Sequence, residues 1–299
     1  MLAFAMMHKY LDPKNDIAFK KIFGEEKNKE IPIDFLNSAL SLEGKDRIID
    51  LEFLNPVQPP EIAAKKESIV DVLVRDDNGF RYIIEMQVAK IPGFEKRAQY
   101  YAAKTYCTHF NSGGEYKELK KVVFLAITDY VLFPEKDDYK SMHLTIDTKT
   151  GENDLQDFSF TFVELPKFTK KEHELKTVEE KWYYFLKTAP EFNDVSEVLV
   201  AHSEIAQAYK ILDRFNWTDQ ELMIYDRVIM ANIDAKAKLR GAREEGLAEG
   251  IEKGEKKKAM EIAKSLLKEG LAISMVIKST GLQKEEVEKL ASAFATAGD

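Results

Sequence analysis

The chain has 299 residues, 44% hydrophobic and 32% charged, with 44 Lys+Arg against 52 Asp+Glu and a net charge of −8. That composition excludes a disordered or fibrous chain and supplies apolar mass for one large domain or two ordinary ones. The single cysteine, Cys107, excludes an intramolecular disulfide, and no apolar run reaches membrane-spanning length. The start, MLAFAMMHKYLDPKND, lacks a cationic region ahead of a signal-like core. A cytoplasmic protein with no membrane contact is expected, and its acidity argues at first sight against nucleic acid.

In chain order, Asn15-Asp16 ahead of Ile17, Phe19, Ile22 and Phe23, closed by Gly24, predicts a short capped helix. A second helix is expected from Ile31 to Leu42, with Phe35, Leu36, Ala39 and Leu40 on one face. Three strand-like runs follow, IIDLEFL (48–54), SIVDVLV (68–74) and RYIIEMQVA (81–89). Asp76-Asp77-Asn78-Gly79 between the last two is a hairpin turn sequence. Residues 94–110 have helical period, and VVFLAI (122–127) reads as a fully apolar strand, so a helix crosses one face of the sheet. A later hairpin runs from HLTID to FSFTFVEL and turns at Lys149-Thr150-Gly151.

From about Lys171 the pattern is helical, with one helix around Trp182, Phe185 and Leu186, a second over Val195 to Leu212 and a third over Leu222 to Ala237. Gly241, Gly246, Gly250 and Gly254 then mark a helix of weakened rigidity, or a close helix–helix contact in a homo-oligomer. KKKAMEIAKSLLKEG, AISMVIKSTG and QKEEVEKLASAF form three short helices broken at Gly270 and Gly281, the layout of a helix-turn-helix module. Its third helix carries Glu285, Glu286 and Glu288 where a reader of base edges needs donors, which favours a protein partner over DNA for this tail. The expected organisation is an α/β domain over 1–190, a helical linker region over 191–254 and a small helical module over 255–299.

The chemical anomaly is a pair of apolar strands with acids inside them. Asp71 sits between Val70 and Val72, and Ile83, Glu85 and Gln87 share one face of their strand. Such acids either face solvent from a half-exposed sheet or, if buried, are paired or bound to a cation. Strands roughly 4.8 Å apart bring the two carboxylates together, and hard oxygen donors suit Mg²⁺ or Mn²⁺ rather than zinc. His8, His109, His143, His173 and His202 show no ligand spacing, and neither a G-x-S-x-G elbow nor a phosphate-binding Gly loop occurs.

Asp71 followed by Glu85-x-Gln87 and a helix resembles the PD-(D/E)XK nuclease core. More narrowly, the chain resembles the Rpn family of recombination-promoting nucleases and transposase-like proteins. The matching stretches are NDIAFKKIFG (15–24), SIVDVLVRDDNGFRYIIEMQ (68–87), RAQYYAAKTY (97–106), VVFLAITDYVLF (122–133) and FVELPKF (162–168), in order across about residues 10–190. The IAKSLLKEG…STGLQKEEVEKL ending is also similar to that family's. The resemblance implies an α/β fold, a restriction-endonuclease-like core with a mixed central sheet flanked by helices, followed by an all-α C-terminal region. It implies an endonuclease of DNA that uses Mg²⁺ (or Mn²⁺), linked to recombination and mobile elements.

Carried over by position, Asp71 and Glu85 bind the metal. Gln87 stands where the superfamily most often has Lys, so it orients water without supplying charge. Asp16 fits a first-turn or N-cap role and also the place of an acid that reaches the metal. Arg97, Lys20 and Lys21 are the cations that could meet phosphate, although Arg97 fits equally a surface salt bridge with Glu95. Of Tyr100 and Tyr101, one packs in the core and the other lines the cleft. The alternative is a catalytically weak binding or regulatory protein on the same fold that oligomerises through its helical C-terminus.

The charge is uneven. Residues 1–111 carry 16 Lys+Arg and 17 Asp+Glu, while residues 112–299 carry 28 and 35. Lys20, Lys21, Lys65, Lys66, Lys90, Lys96, Arg97 and Lys104 cluster around the motif elements. A local, metal-dependent and salt-sensitive contact with DNA is therefore expected rather than a broad basic surface.

Overall fold

Alternation along the strands sends Val72, Val74, Tyr82, Ile84, Met86, Val123, Leu125 and Ile127 to one buried face, and Leu73, Ile83, Phe124, Ala126 and Phe162 to the other. A sheet apolar on both faces has to be covered on both. The computed structural model describes residues 8–58, 68–108 and 115–295; Lys65, Lys66 and His109 lie outside the described residues. The chain divides into two units, Met1–Asn232 and Ile233–Asp299.

In the first unit β1 (Leu51–Phe53), β4 (Val72–Asp76), β5 (Arg81–Gln87), β6 (Val122–Thr128), β8 (Phe158–Glu164) and β7 (Lys140–Leu144) form one sheet in that spatial order. β1, β4 and β5 are antiparallel, β5, β6 and β8 are parallel, and β7 returns antiparallel on β8. β2 (Val57–Gln58) and β3 (Ser68–Ile69) make a separate two-stranded ribbon. Helices α1 (Asp16–Phe23), α2 (Glu30–Ala39), α4 (Val178–Thr188), α5 (Glu197–Val200) and α6 (Ser203–Leu212) contribute to the core on one face. α3 (Phe94–Cys107), the crossover between β5 and β6, covers the other with Phe94, Ala98 and Ala102. This is the mixed sheet flanked by helices that the sequence leads one to expect, with an all-α region after it.

Local signals explain most boundaries. The Asn15 side chain caps α1 by accepting from the Ile17 N–H at 3.0 Å. Gly79, at φ +82°, takes the left-handed position of the β4–β5 turn. The β7–β8 hairpin begins earlier than HLTID and turns at Gly151. The helix expected over 195–212 is two, α5 and α6.

The helix expected to stop at Ala237 continues through the Gly-spaced stretch as α7 (Asp219–Lys268). A Cβ on Gly241, Gly246, Gly250 or Gly254 would meet nothing within 4 Å, so among the described residues no close approach calls for these glycines. Each weakens the helix by about 1 kcal/mol relative to alanine. In the second unit α8 (Ile273–Thr280) and α9 (Lys284–Ala295) follow, with left-handed Gly270 and Gly281 at the breaks and a small core of Ala263, Val276, Leu282 and Val287. No helix of the described residues is long and apolar enough to cross a membrane.

The end of β8 is held by a buried acid. Glu164, 1% exposed, accepts from the N–H groups of Leu132 (2.6 Å) and Phe133 (3.0 Å) and from Lys167 Nζ (2.8 Å). Glu164→Leu leaves the two N–H groups without their acceptor and Lys167 with only the Phe133 and Lys136 carbonyls, and is expected to cost about 3 kcal/mol. Urea unfolding would read this as a lower midpoint with an unchanged slope.

Candidate active site

The run SIVDVLV is not one strand. Ser68–Ile69 pairs with β2, Val72 onward pairs with β1 and β5, and Asp71 lies in a bend between them. The expectation of Asp71 at a strand centre is thus corrected. The bend has a physical cause in hydrogen bonding. The Val70 N–H donates to the Pro56 carbonyl (3.2 Å), and the Asp71 N–H turns to Glu85 Oε2 (3.0 Å). In return the Met86 N–H donates to Asp71 Oδ2 (2.9 Å). Each carboxylate thereby satisfies the backbone beside the other, and this locks both at the broken edge of the β4–β5 hairpin.

Glu85 is 5% exposed. Burial, and then the Asp71 charge, push its carboxyl above the usual carboxylate range; the Asp71 N–H, Arg97 and Lys20 pull only partly back. Burial also raises Asp71, with Asp16 adding to the rise and the Met86 N–H and Lys20 opposing it. The two carboxyls therefore resist being ionised together, because the positive charge around them does not offset burial and mutual repulsion. That deficit, together with an all-oxygen donor pair, fits a hard divalent cation.

The flanking cations come from two helices. Lys20 Nζ, on α1, lies 3.4 Å from Asp71 Oδ1. Arg97, on the first turns of α3, places Nη2 3.7 Å from Glu85 Oε1 and also donates to Gln87 Oε1. It therefore faces the acid pair rather than Glu95, with its guanidinium over the rings of Phe94 (4.9 Å) and Tyr101 (5.7 Å). The Gln87 amide is fixed at its other end by donating to the Ala89 carbonyl at 2.9 Å.

The remaining candidates are placed differently. Lys21 pairs with Glu221 and sits over the Trp217 ring at 4.2 Å, so the structure does not bring it to Asp71. Asp16 occupies the first turn of α1, while the cap itself is Asn15. Tyr101 packs against the core under α3 beside Arg97, whereas Tyr100 is half exposed.

Sequence reasoning also missed a cluster. His202 is not a scattered histidine: its Nε2 lies 2.8 Å from Asp34 Oδ2 and 3.3 Å from Glu204 Oε2. Only the short H-x-E spacing hinted at it, because Asp34 is 168 residues away in the chain.

Comparison with known families gives two matches. A model described as PD-(D/E)XK nuclease family transposase matches residues 13–242, and one described as Rpn/YhgA-like nuclease family, C-terminal HTH domain matches residues 256–292. No curated protein and no solved structure matches the chain.

Proposed function

The chain belongs to the PD-(D/E)XK nuclease family transposases, and from that premise we propose that it is a metal-dependent endonuclease of DNA. The observation that carries this reading is the reciprocal pair of buried Glu85 and partly buried Asp71, each accepting from the backbone beside the other. In the proposal these two carboxylates hold a Mg²⁺ or Mn²⁺ ion. Such an ion, when bound, polarises a phosphodiester and lowers the pKa of water.

The chain's own residues supply the rest. Arg97 and Lys20 offer positive charge on either side of the acid pair, where a phosphate would otherwise be repelled. Gln87 is fixed by two hydrogen bonds and keeps a second lone pair on Oε1 to orient an attacking water. The helix-turn-helix description of the tail favours DNA as its partner. That weighs against the protein partner expected from the glutamates of α9, and the charge argument is itself weaker than the sequence implies, because Lys256 pairs with Glu286 at 2.6 Å. Cleavage of DNA during recombination of mobile elements is the role this combination fits.

A supercoiled plasmid is the test substrate. Nicking is expected with Mg²⁺ or Mn²⁺, loss of nicking with chelator, and a fall on the order of 10³-fold or more for Asp71→Ala. Unchanged cleavage by a folded Asp71→Ala protein would sink the assignment. An intact protein that neither nicks DNA nor binds millimolar Mg²⁺ in a calorimeter would instead support the regulatory reading, which rests on Gln87 standing where Lys is usual.

A further inference from the structure

We propose that Asp34, His202 and Glu204 form a second metal site, separate from the acid pair and selective for an imidazole-binding ion of the Zn²⁺ class. Two helices converge there: Asp34 comes from α2, and His202 and Glu204 from the cap and first turn of α6. One nitrogen and two carboxylates lie with their ligand atoms all within 4.8 Å of one another. Each is partly reachable from solvent, at 18%, 21% and 27% side-chain exposure for Asp34, His202 and Glu204.

His202 Nε2 carries at most one proton and so serves only one of the two carboxylates near it, while Glu204 Oε2 accepts from Ser203 Oγ at 2.7 Å. A cation with several coordination positions would satisfy all three groups at once. The surroundings suit one. Trp182 Nε1 donates to Asp34 Oδ2 at 2.8 Å, which fixes that carboxylate from behind as an outer partner fixes a metal ligand. In front, Asp34 and His202 line a cavity of about 450 Å³ with Ser38 and Thr177, leaving room for water ligands.

The donor set separates this site from the first one. An imidazole among the ligands favours Zn²⁺ over Mg²⁺, whereas Asp71 and Glu85 offer oxygen alone. An ion here would clamp α2 to α6, so its effect would be on the stability of the first unit rather than on phosphate.

The test uses the full chain carrying Glu85→Gln, so that the acid pair no longer holds an ion. Calorimetric titration is expected to give one equivalent of Zn²⁺ and no Mg²⁺. Adding His202→Asn is expected to weaken Zn²⁺ at least about tenfold and to abolish the rise in melting temperature that Zn²⁺ causes. Co²⁺ should quench Trp182 fluorescence in the Glu85→Gln protein and not in the double variant. Glu204→Gln, on the surface of α6, gives the same readouts if His202→Asn does not fold. Absence of stoichiometric Zn²⁺ binding, or binding that neither substitution weakens, overturns the proposal. Either result leaves the nuclease reading standing, since that depends on Asp71 and wild-type cleavage.

Discussion

Glu85→Gln is expected to abolish DNA cleavage and, without metal, to make the protein more stable than wild type at pH 8. The two effects share one origin. Glu85 is buried beside Asp71, and burial and then the neighbouring charge raise its carboxyl above the ordinary range. A carboxyl raised on folding binds its proton more tightly in the folded state. Its contribution is intact below its unfolded value, about 4.3, and is lost as pH rises through the higher folded value. At pH 8, near the folded value of about 8, the unfolded chain is ionised at Glu85 while the fold resists that ionisation, a cost the neutral isostere avoids, and Gln Oε1 can still accept from the Asp71 N–H.

The expected gain is on the order of 2 kcal/mol at pH 8, shrinking towards pH 5. Melting curves in chelator at the two pH values measure it. Mg²⁺ should raise the wild-type melting temperature at pH 8 and leave the variant unmoved, because the ion binds only the folded pair. Metal affinity in wild type should also rise with pH, since the ion displaces a proton. A variant less stable than wild type at pH 8 in chelator would show that the pair is not in electrostatic conflict. Stability given up at one buried place for chemistry is the usual relation between active sites and folds.

The parts of this arrangement differ in how far the sequence reveals them. The β4–β5 hairpin and β6 are legible because their causes are local: a turn tetrapeptide ending in Gly79, and a run of apolar residues buried on both faces. The breaks at Gly270 and Gly281 are legible for the same reason. The bend at Asp71 is not, because SIVDVLV alternates like a strand and the groups that break it, the Pro56 carbonyl and the Glu85 carboxylate, are distant in the chain. Lys20 and Lys21 are equivalent as letters. Only the packing of Phe19, Ile22 and Phe23 turns one to Asp71 and the other to Glu221. His202 looks solitary until α6 is laid against α2. The family resemblance carries Asp71, Glu85 and Gln87 by position, but not the role of Arg97, which depends on the pitch of α3 against β5.

Exchanging charge between positions 87 and 97 is expected to show that Arg97 does the work a lysine would do at position 87. Arg97 touches both the carboxamide of Gln87 and the carboxylate of Glu85, so one cation already stands beside the acid pair. Arg97→Gln removes it and is expected to lower the cleavage rate about 10²- to 10³-fold, the usual loss when a fixed electrostatic donor is deleted. Gln87→Lys alone should not raise activity, because the new ammonium would meet Arg97 in a partly buried space and the two would repel. The double variant, Gln87→Lys with Arg97→Gln, restores one cation and one amide to adjoining places. It is expected to cleave at least about tenfold faster than Arg97→Gln, a non-additivity that only residues in contact produce. Full activity in Arg97→Gln, or a double variant no better than that single one, would place the needed positive charge elsewhere, with Lys20 the next residue to substitute.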